Sequence, residues 1–315
     1  MPTAEARLTW PRVERGALLL ATAAMAVALV AVVVAADDLR LDLGTHAWFA
    51  AAAAYLASHM VRAIRLAYLA SSPASPLRRA VAVHWYCSGI SVLLPFKLGE
   101  LVRIERVSRL RADVRDGIAI VWLERVLDAA AIAAAIGLVA LSGLPVAGLE
   151  PVLVVTATFV VVTVLVATVL PRNIRELMLH LVRRDYGAGS LNALRVLRGA
   201  LDTIDRVPKL IDRRVPSLLV MTATIWLLEF LALGLALNSL SSGFSELAGS
   251  LLRSLTGVAL EAIPIQPSAT DFMGELLPGV DAERIAEYRA LVVGIPLVGG
   301  LLAAATAMKI GRDKA

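Results

Sequence analysis

Of the 315 residues 58% are hydrophobic and 18% charged, with a mean hydropathy of +0.76; this excludes an ordinary soluble domain and predicts a polytopic membrane protein. The single cysteine, Cys87, leaves no intramolecular disulfide and no cysteine metal cluster, and neither a metal nor a cofactor is expected. The net charge of +5 comes from Lys and Arg in blocks beside apolar spans, as in cytoplasmic membrane loops, so no nucleic-acid partner is expected.

The first apolar run, Gly16 to Ala36, is long enough to cross the hydrocarbon core and longer than a signal peptide's apolar region, so a retained span is predicted. A second span runs from about Thr45 to Leu69, with Arg62 and Arg65 toward its end; their aliphatic stems can snorkel to an interface, so they do not argue against the span. The next apolar stretch, Ala80 to Leu94, is broken by Pro95, and Lys97, Glu100 and Arg103 follow at once. Proline lacks the N–H a helix needs, which predicts a helix end at or near Leu94.

Charge placement decides how that stretch sits. Residues 62–79 hold Arg62, Arg65, Arg78 and Arg79 without an acid, and 103–115 hold five arginines. Both blocks should lie inside, so the segment between them is read as a re-entrant hairpin, 80–102, turning between Pro95 and Gly99.

Gly117 to Ser142 then crosses outward carrying Glu124, Arg125 and Asp128, and Val-rich Pro151 to Leu170 returns. That Val content suits a strand, but nothing else suits a barrel, and a helix is predicted. Residues 171–216 are polar and basic, with Leu191, Leu194, Leu197, Leu201 and Ile204 at helical spacing; one or two amphipathic helices on the cytoplasmic face fit that pattern. Ser217 to Asn238 crosses outward with Glu229 inside it. A second proline-broken hairpin, 247–280, follows, and a last span, about Ile285 to Ala307, ends in Lys309, Arg312 and Lys314, which places the C-terminus inside.

The expected fold is therefore an all-α polytopic membrane protein with six spanning helices, two re-entrant hairpins and an inverted-topology repeat, its halves being 1–142 and 143–315. Gly99-Glu100-Leu101 in one hairpin is echoed by Gly274-Glu275-Leu276 in the other. Interrupted apolar segments at matching places in two halves point to a transport site near the midplane.

The candidate site residues follow from charge inside that plan. A half-helix starting near Phe96 presents its free N–H groups and positive dipole end beside Lys97, a place for an anionic phosphate. Gly99 is where backbone can approach a headgroup or a facing hairpin. Glu100 and Arg103, at i,i+3, are expected to pair, the alternative being that Lys97 and Arg103 snorkel to the interface. Glu124 and Asp128 share one helix face; Arg125 reaches Asp128, leaving Glu124 to Arg103, Arg289 or a proton. A purely structural ion network is the competing reading. Glu229, among Leu and Trp, must be protonated or paired. His59 and His84 read as hydrogen-bonded packing, and Trp10, Trp48, Trp85 and Tyr86 as interfacial anchors or a lipid cleft.

Leu94-Pro95 through Gly99-Glu100-Leu101-Val102-Arg103, followed some twenty residues on by Glu124-Arg125-Val126-Leu127-Asp128, resembles the signature of the lysylphosphatidylglycerol synthase transmembrane-region (flippase-like) family. The resemblance implies a bacterial inner-membrane protein that moves a lipid or lipid-linked precursor between leaflets, here without the aminoacyl-transferase domain that some members carry. It implies a site drawn from both hairpins, with Asp271 standing for an acid that many members place after a Gly-rich stretch, and Glu275 beside it; this chain has Pro267-Ser268-Ala269-Thr270 before Asp271 instead. Membrane lipid headgroups are the expected ligands, and both termini are expected in the cytoplasm. No serine, metal or aspartyl-dyad signature is present, so a transporter rather than an enzyme is expected. The alternative is a membrane enzyme or a non-transporting partner of a glycosyltransferase or lipid synthase in glycolipid, cell-envelope or hopanoid synthesis.

Overall fold

A computed structural model describes residues 12–38, 46–70, 77–94, 98–111, 113–141, 149–184, 188–236 and 282–312. Among them there is no strand. The helices are α1 (Arg12–Asp38), α2 (His46–Leu69), α3 (Leu77–Leu93), α4 (Leu98–Arg111), α5 (Val114–Leu141), α6 (Leu149–Thr168), α7 (Leu170–Arg184), α8 (Ala188–Ile204), α9 (Val207–Ile211), α10 (Val215–Ala236) and α11 (Ala282–Arg312). The Val-rich stretch is helix α6, as its length and apolar continuity required. Among the described residues three helices, over Gly16–Ala35, Val215–Ala236 and Ala286–Ala307, are long and apolar enough to cross a membrane. Helix α5 has the length but carries Glu124, Arg125 and Asp128 within it.

Helix α3 ends at Leu93, the Leu94 N–H still donates to the Ile90 carbonyl at 3.1 Å, and α4 begins at Leu98. Residues 95–97, and Lys97 with them, lie outside the described residues, so the half-helix start expected near Phe96 is seen only from Leu98. The two arms fold back tightly: a Cβ added to Gly99 falls 2.7 Å from the Cα of Ser91, so only glycine lets the arms approach this closely. The next turn is equally close, a Cβ on Gly117 of α5 meeting the Ile104 carbonyl of α4 at 2.8 Å. Helices α3, α4 and α5 thus run antiparallel in succession, and both arginine-rich stretches emerge at one end of the bundle. There Leu66, Leu69, Val107, Ile120 and Leu218 form a shared apolar cluster from α2, α4, α5 and α10.

Helices α3 and α11 also run antiparallel at close range. A Cβ on Gly89 meets the Pro296 carbonyl at 2.9 Å and the Gly300 Cα at 3.0 Å, and one on Gly299 meets the Trp85 ring at 2.7 Å. Small residues at such crossings are what membrane helices use, because apolar side chains gain nothing by leaving lipid for one another. Met25 of α1 closes the same junction, with Cys87, Ile90 and Leu297 around it.

The polar segment 171–216 forms three helices, α7 to α9, rather than the expected one or two. Helix α7 buries Ile174 and turns Arg172 and Arg175 outward. The end of α8 and the start of α9 are tied to the α4–α5 turn by Arg115–Asp202 at 2.8 Å, Arg206–Asp113 at 2.7 Å and Arg206–Asp116. The expected second hairpin, 247–280, with Asp271 and Glu275, lies outside the described residues.

Candidate functional site

The site is built on one face of α2. Ser58, Arg62 and Arg65 recur at helical spacing and turn inward together. Arg65 is only 1% exposed. Its Nη1 donates to Asp128 Oδ1 of α5 at 2.9 Å and to Thr222 Oγ1 of α10 at 2.9 Å. Arg62 bridges the same helices: Nη1 donates to Asp128 Oδ2 at 3.2 Å, while Nη2 and Nε donate to Glu229 Oε1 at 2.7 and 2.9 Å. The Ser58 hydroxyl also reaches Glu229, at 3.2 Å, and the Trp226 ring lies 5.6 Å from the Arg62 guanidinium carbon. Arg62 and Arg65 therefore do not snorkel, though their stems would allow it. Carboxylates on α5 and α10 hold Arg62, and Asp128 with Thr222 holds Arg65 through Nη1, inside the bundle, and that outweighs what their stems would gain by leaving it.

The hairpin supplies the third guanidinium. Arg103 of α4 donates through Nη2 and Nε to Glu124 Oε2 at 2.8 and 3.1 Å, and Glu124 is fully buried. The expected Glu100–Arg103 pair does not form; Glu100 instead meets Arg125 at 3.5 Å. Residues i,i+3 on α4 were near enough to pair, but the antiparallel packing of α4 on α5 offers Arg103 a buried carboxylate, and it turns there. Arg125 also reaches Asp128 at 3.5 Å, the predicted i,i+3 contact. Glu124 is left to Arg103, one of the partners foreseen; Arg289 lies on α11, whose neighbouring Leu291 packs with Ala51, Ala54 and Ala232 toward the other end of α2.

Arg62, Arg65, Arg103 and Arg125 thus face Glu100, Glu124, Asp128 and Glu229, a charge-balanced set spread over α2, α4, α5 and α10. Its bonding is uneven. At the centre Arg65 Nε and Glu124 Oε1 face each other at 4.0 Å, and neither atom has a hydrogen-bond partner. At the hairpin side Arg125 and Glu100 are 39% and 31% exposed and held only by long contacts. The deep pairs can lock four helices together, whereas the outer arginine can exchange a carboxylate for another anion.

The model of the lysylphosphatidylglycerol synthase TM region matches residues 16–269. The chain belongs to that family. No curated protein and no solved structure matches it. This family member is a multi-pass membrane protein with helical spans, and the match covers the hairpin, both ion-pairing helices of the first half and α10.

Beside the ion pairs this family member carries an aromatic and histidine layer. His59 Nδ1 and His84 Nε2 lie 3.2 Å apart, one donating to the other, and the Trp85 ring stacks on His59 with centroids 5.1 Å apart. The histidines are hydrogen-bonded packing, as expected from their spacing. Sequence reading missed the roles of Ser58, Arg62, Arg65 and Thr222. A signal was present in α2, where a serine and two arginines share a face within an alanine-rich helix; the hydroxyl of Thr222, one among many in apolar runs, gave none.

Proposed function

We propose that the protein moves a lipid, or a lipid-linked precursor, with an anionic headgroup between the leaflets of a bacterial inner membrane, as a flippase or scramblase and not as an enzyme. Both termini lie in the cytoplasm in this reading, and α3–α4 is a re-entrant hairpin. The supporting observation is the graded ion network. Charged groups within membrane helices mark pathways for polar cargo, and here they run from a locked centre to a loosely held arginine, Arg125, at the hairpin side. A phosphate meeting Arg125 displaces Glu100 from a 3.5 Å contact and receives a bidentate donor in exchange. Family membership supports the same reading.

The test is lipid movement in proteoliposomes, read as the loss of fluorescence when a quencher meets labelled phosphatidylglycerol or phosphatidylcholine in the outer leaflet. Wild type is expected to move the anionic lipid well above protein-free vesicles. Arg125→Ala is expected to lower that rate about tenfold while leaving the unfolding midpoint near wild type, since the lost contacts are long and half-exposed. Wild-type vesicles no faster than empty ones would overturn the proposal.

A further inference from the structure

On the far side of Trp85 from the histidine pair, between α1, α2, α3 and α11, lies a cavity of about 970 Å³, at the upper end of the ~300–1,000 Å³ of small-molecule sites. Its lining is apolar apart from one charged residue, Arg78, in the first turn of α3. Because α3 and α11 run antiparallel, Arg78 stands at the same end as Thr306, and the apolar lining continues along α11 back to Ala290. That is sixteen residues of helix, about 24 Å at 1.5 Å per residue, longer than the ~15 Å depth of one leaflet's chains in a ~30 Å hydrocarbon core. The slot opens sideways, with Leu56, Met60 and Leu302 all at its rim and all exposed.

Arg78 is exposed and, among the described residues, has no carboxylate partner. Arg79 follows it, and the helix N-terminus beneath both is itself positive, so among the described residues this end of the slot carries positive charge with no acid paired to it. The ligand that complements a long apolar slot with a cationic mouth is an amphiphile with an anionic head. We infer that the groove holds one anionic glycerophospholipid, its phosphate on the Arg78 guanidinium and its chains along α11. The inference rests on the proposed lipid handling only in taking a lipid as ligand; it assigns a binding site apart from the ion network.

Glycine 294 allows a clean test. It lines the groove, and a Cβ added there meets no atom of the described residues within 4 Å, so the Gly294→Trp side chain starts into open slot rather than against packed neighbours. Phosphatidylglycerol and phosphatidylcholine bearing a photoreactive group in one chain would each be crosslinked to the full chain in nanodiscs, and the adducts mapped by mass spectrometry. Wild type is expected to take phosphatidylglycerol on the groove-lining stretches of α1, α2, α3 and α11 about fivefold over phosphatidylcholine, the order of preference one basic residue confers at a membrane surface. Arg78→Ala is expected to remove the preference and Arg78→Lys to keep it, while Gly294→Trp, at an unchanged unfolding midpoint, is expected to remove groove adducts of both lipids. Equal labelling by the two lipids in wild type overturns the inference, as do groove adducts that survive Gly294→Trp. Crosslinks that instead place residues 237–281 or a second copy of the chain in the groove overturn it too. Binding is read without transport: groove adducts in a protein that moves no lipid would sink the proposed translocation alone, and transport without adducts would sink the groove alone.

Discussion

Two ion-pair clusters in this molecule use the same residue types to different ends. In the bundle, Arg65, Arg103, Glu124 and Asp128 are nearly inaccessible and join three helices, α2, α4 and α5; at one end, Arg111, Arg115, Arg206, Asp113, Asp116 and Asp202 tie α8 and α9 to the α4–α5 turn while remaining partly exposed. Removing one partner of a buried pair leaves a charge without water or counter-charge, at a cost of about 3–5 kcal/mol. Removing one partner of an exposed pair lets water replace it, at a cost of about 0–1 kcal/mol. Equal distances therefore carry unequal consequences, and the difference is dielectric.

The largest expected effect is at Arg65. Arg65→Ala strips Asp128 of its 2.9 Å partner and leaves Thr222 without its donor, and a loss of about 3–5 kcal/mol is expected in unfolding followed in detergent. Replacing both members of the neighbouring pair, as Arg103→Met with Glu124→Gln, is expected to cost less than either single change, because no charge is stranded. If single and double variants lose stability equally, the centre is wet and its contrast with the outer cluster disappears.

An intermediate effect is expected where backbone rather than charge is close. Gly99→Leu drives its side chain into Ser91 and is expected to cost about 1–3 kcal/mol by overpacking. Gly199→Leu on α8, where a Cβ meets nothing within 4 Å, is expected to be neutral or slightly stabilising by removing a helical glycine. A Gly99→Leu protein as stable as Gly199→Leu would mean that the hairpin arms stand apart.

The smallest effect belongs to the outer cluster. Arg206→Ala is expected to cost no more than about 1 kcal/mol and to cost less still in high salt. Its pH dependence has a definite sign. The Arg115 backbone N–H, donating to Asp113 Oδ1 at 2.9 Å, and the Arg206 guanidinium hold the Asp113 carboxyl below its ordinary value of 3.8. Stability from Asp113 is therefore complete above that value and is lost as pH falls through the lowered one. Asp113→Asn should remove that acid-side loss, and an acid limb of the same shape in Asp113→Asn and wild type would exclude the contact.

Much of this was legible in the chain. Hydropathy and length located the long helices to within a few residues, since an apolar run is bounded by charges wherever it meets water. Pro95, followed at once by Lys97 and Glu100, marked the break between α3 and α4, because a missing N–H disfavours continuing a helix; Pro296, within the apolar run of α11, does not end its helix. Glu229 had to be protonated or paired, since a lone charged acid among Leu and Trp is costly, and Arg62 pairs it. Pairing partners were legible only in part: the Arg125–Asp128 contact was, and Arg103 was one of the partners foreseen for Glu124. Arg103 had Glu100 three residues away and chose Glu124 twenty-one residues on; Arg62 and Arg65 looked free to snorkel and are held by α5 and α10. Local spacing states which groups can meet on one helix, but which of them do meet depends on which neighbour offers a buried carboxylate, and only the packing of helices distant in sequence decides that. The groove beside Trp85 has the same origin: each of its walls is an ordinary apolar helix face, and the slot exists only because Gly89, Gly299 and Gly300 let α3 and α11 close on one another, with Met25 of α1 at their junction.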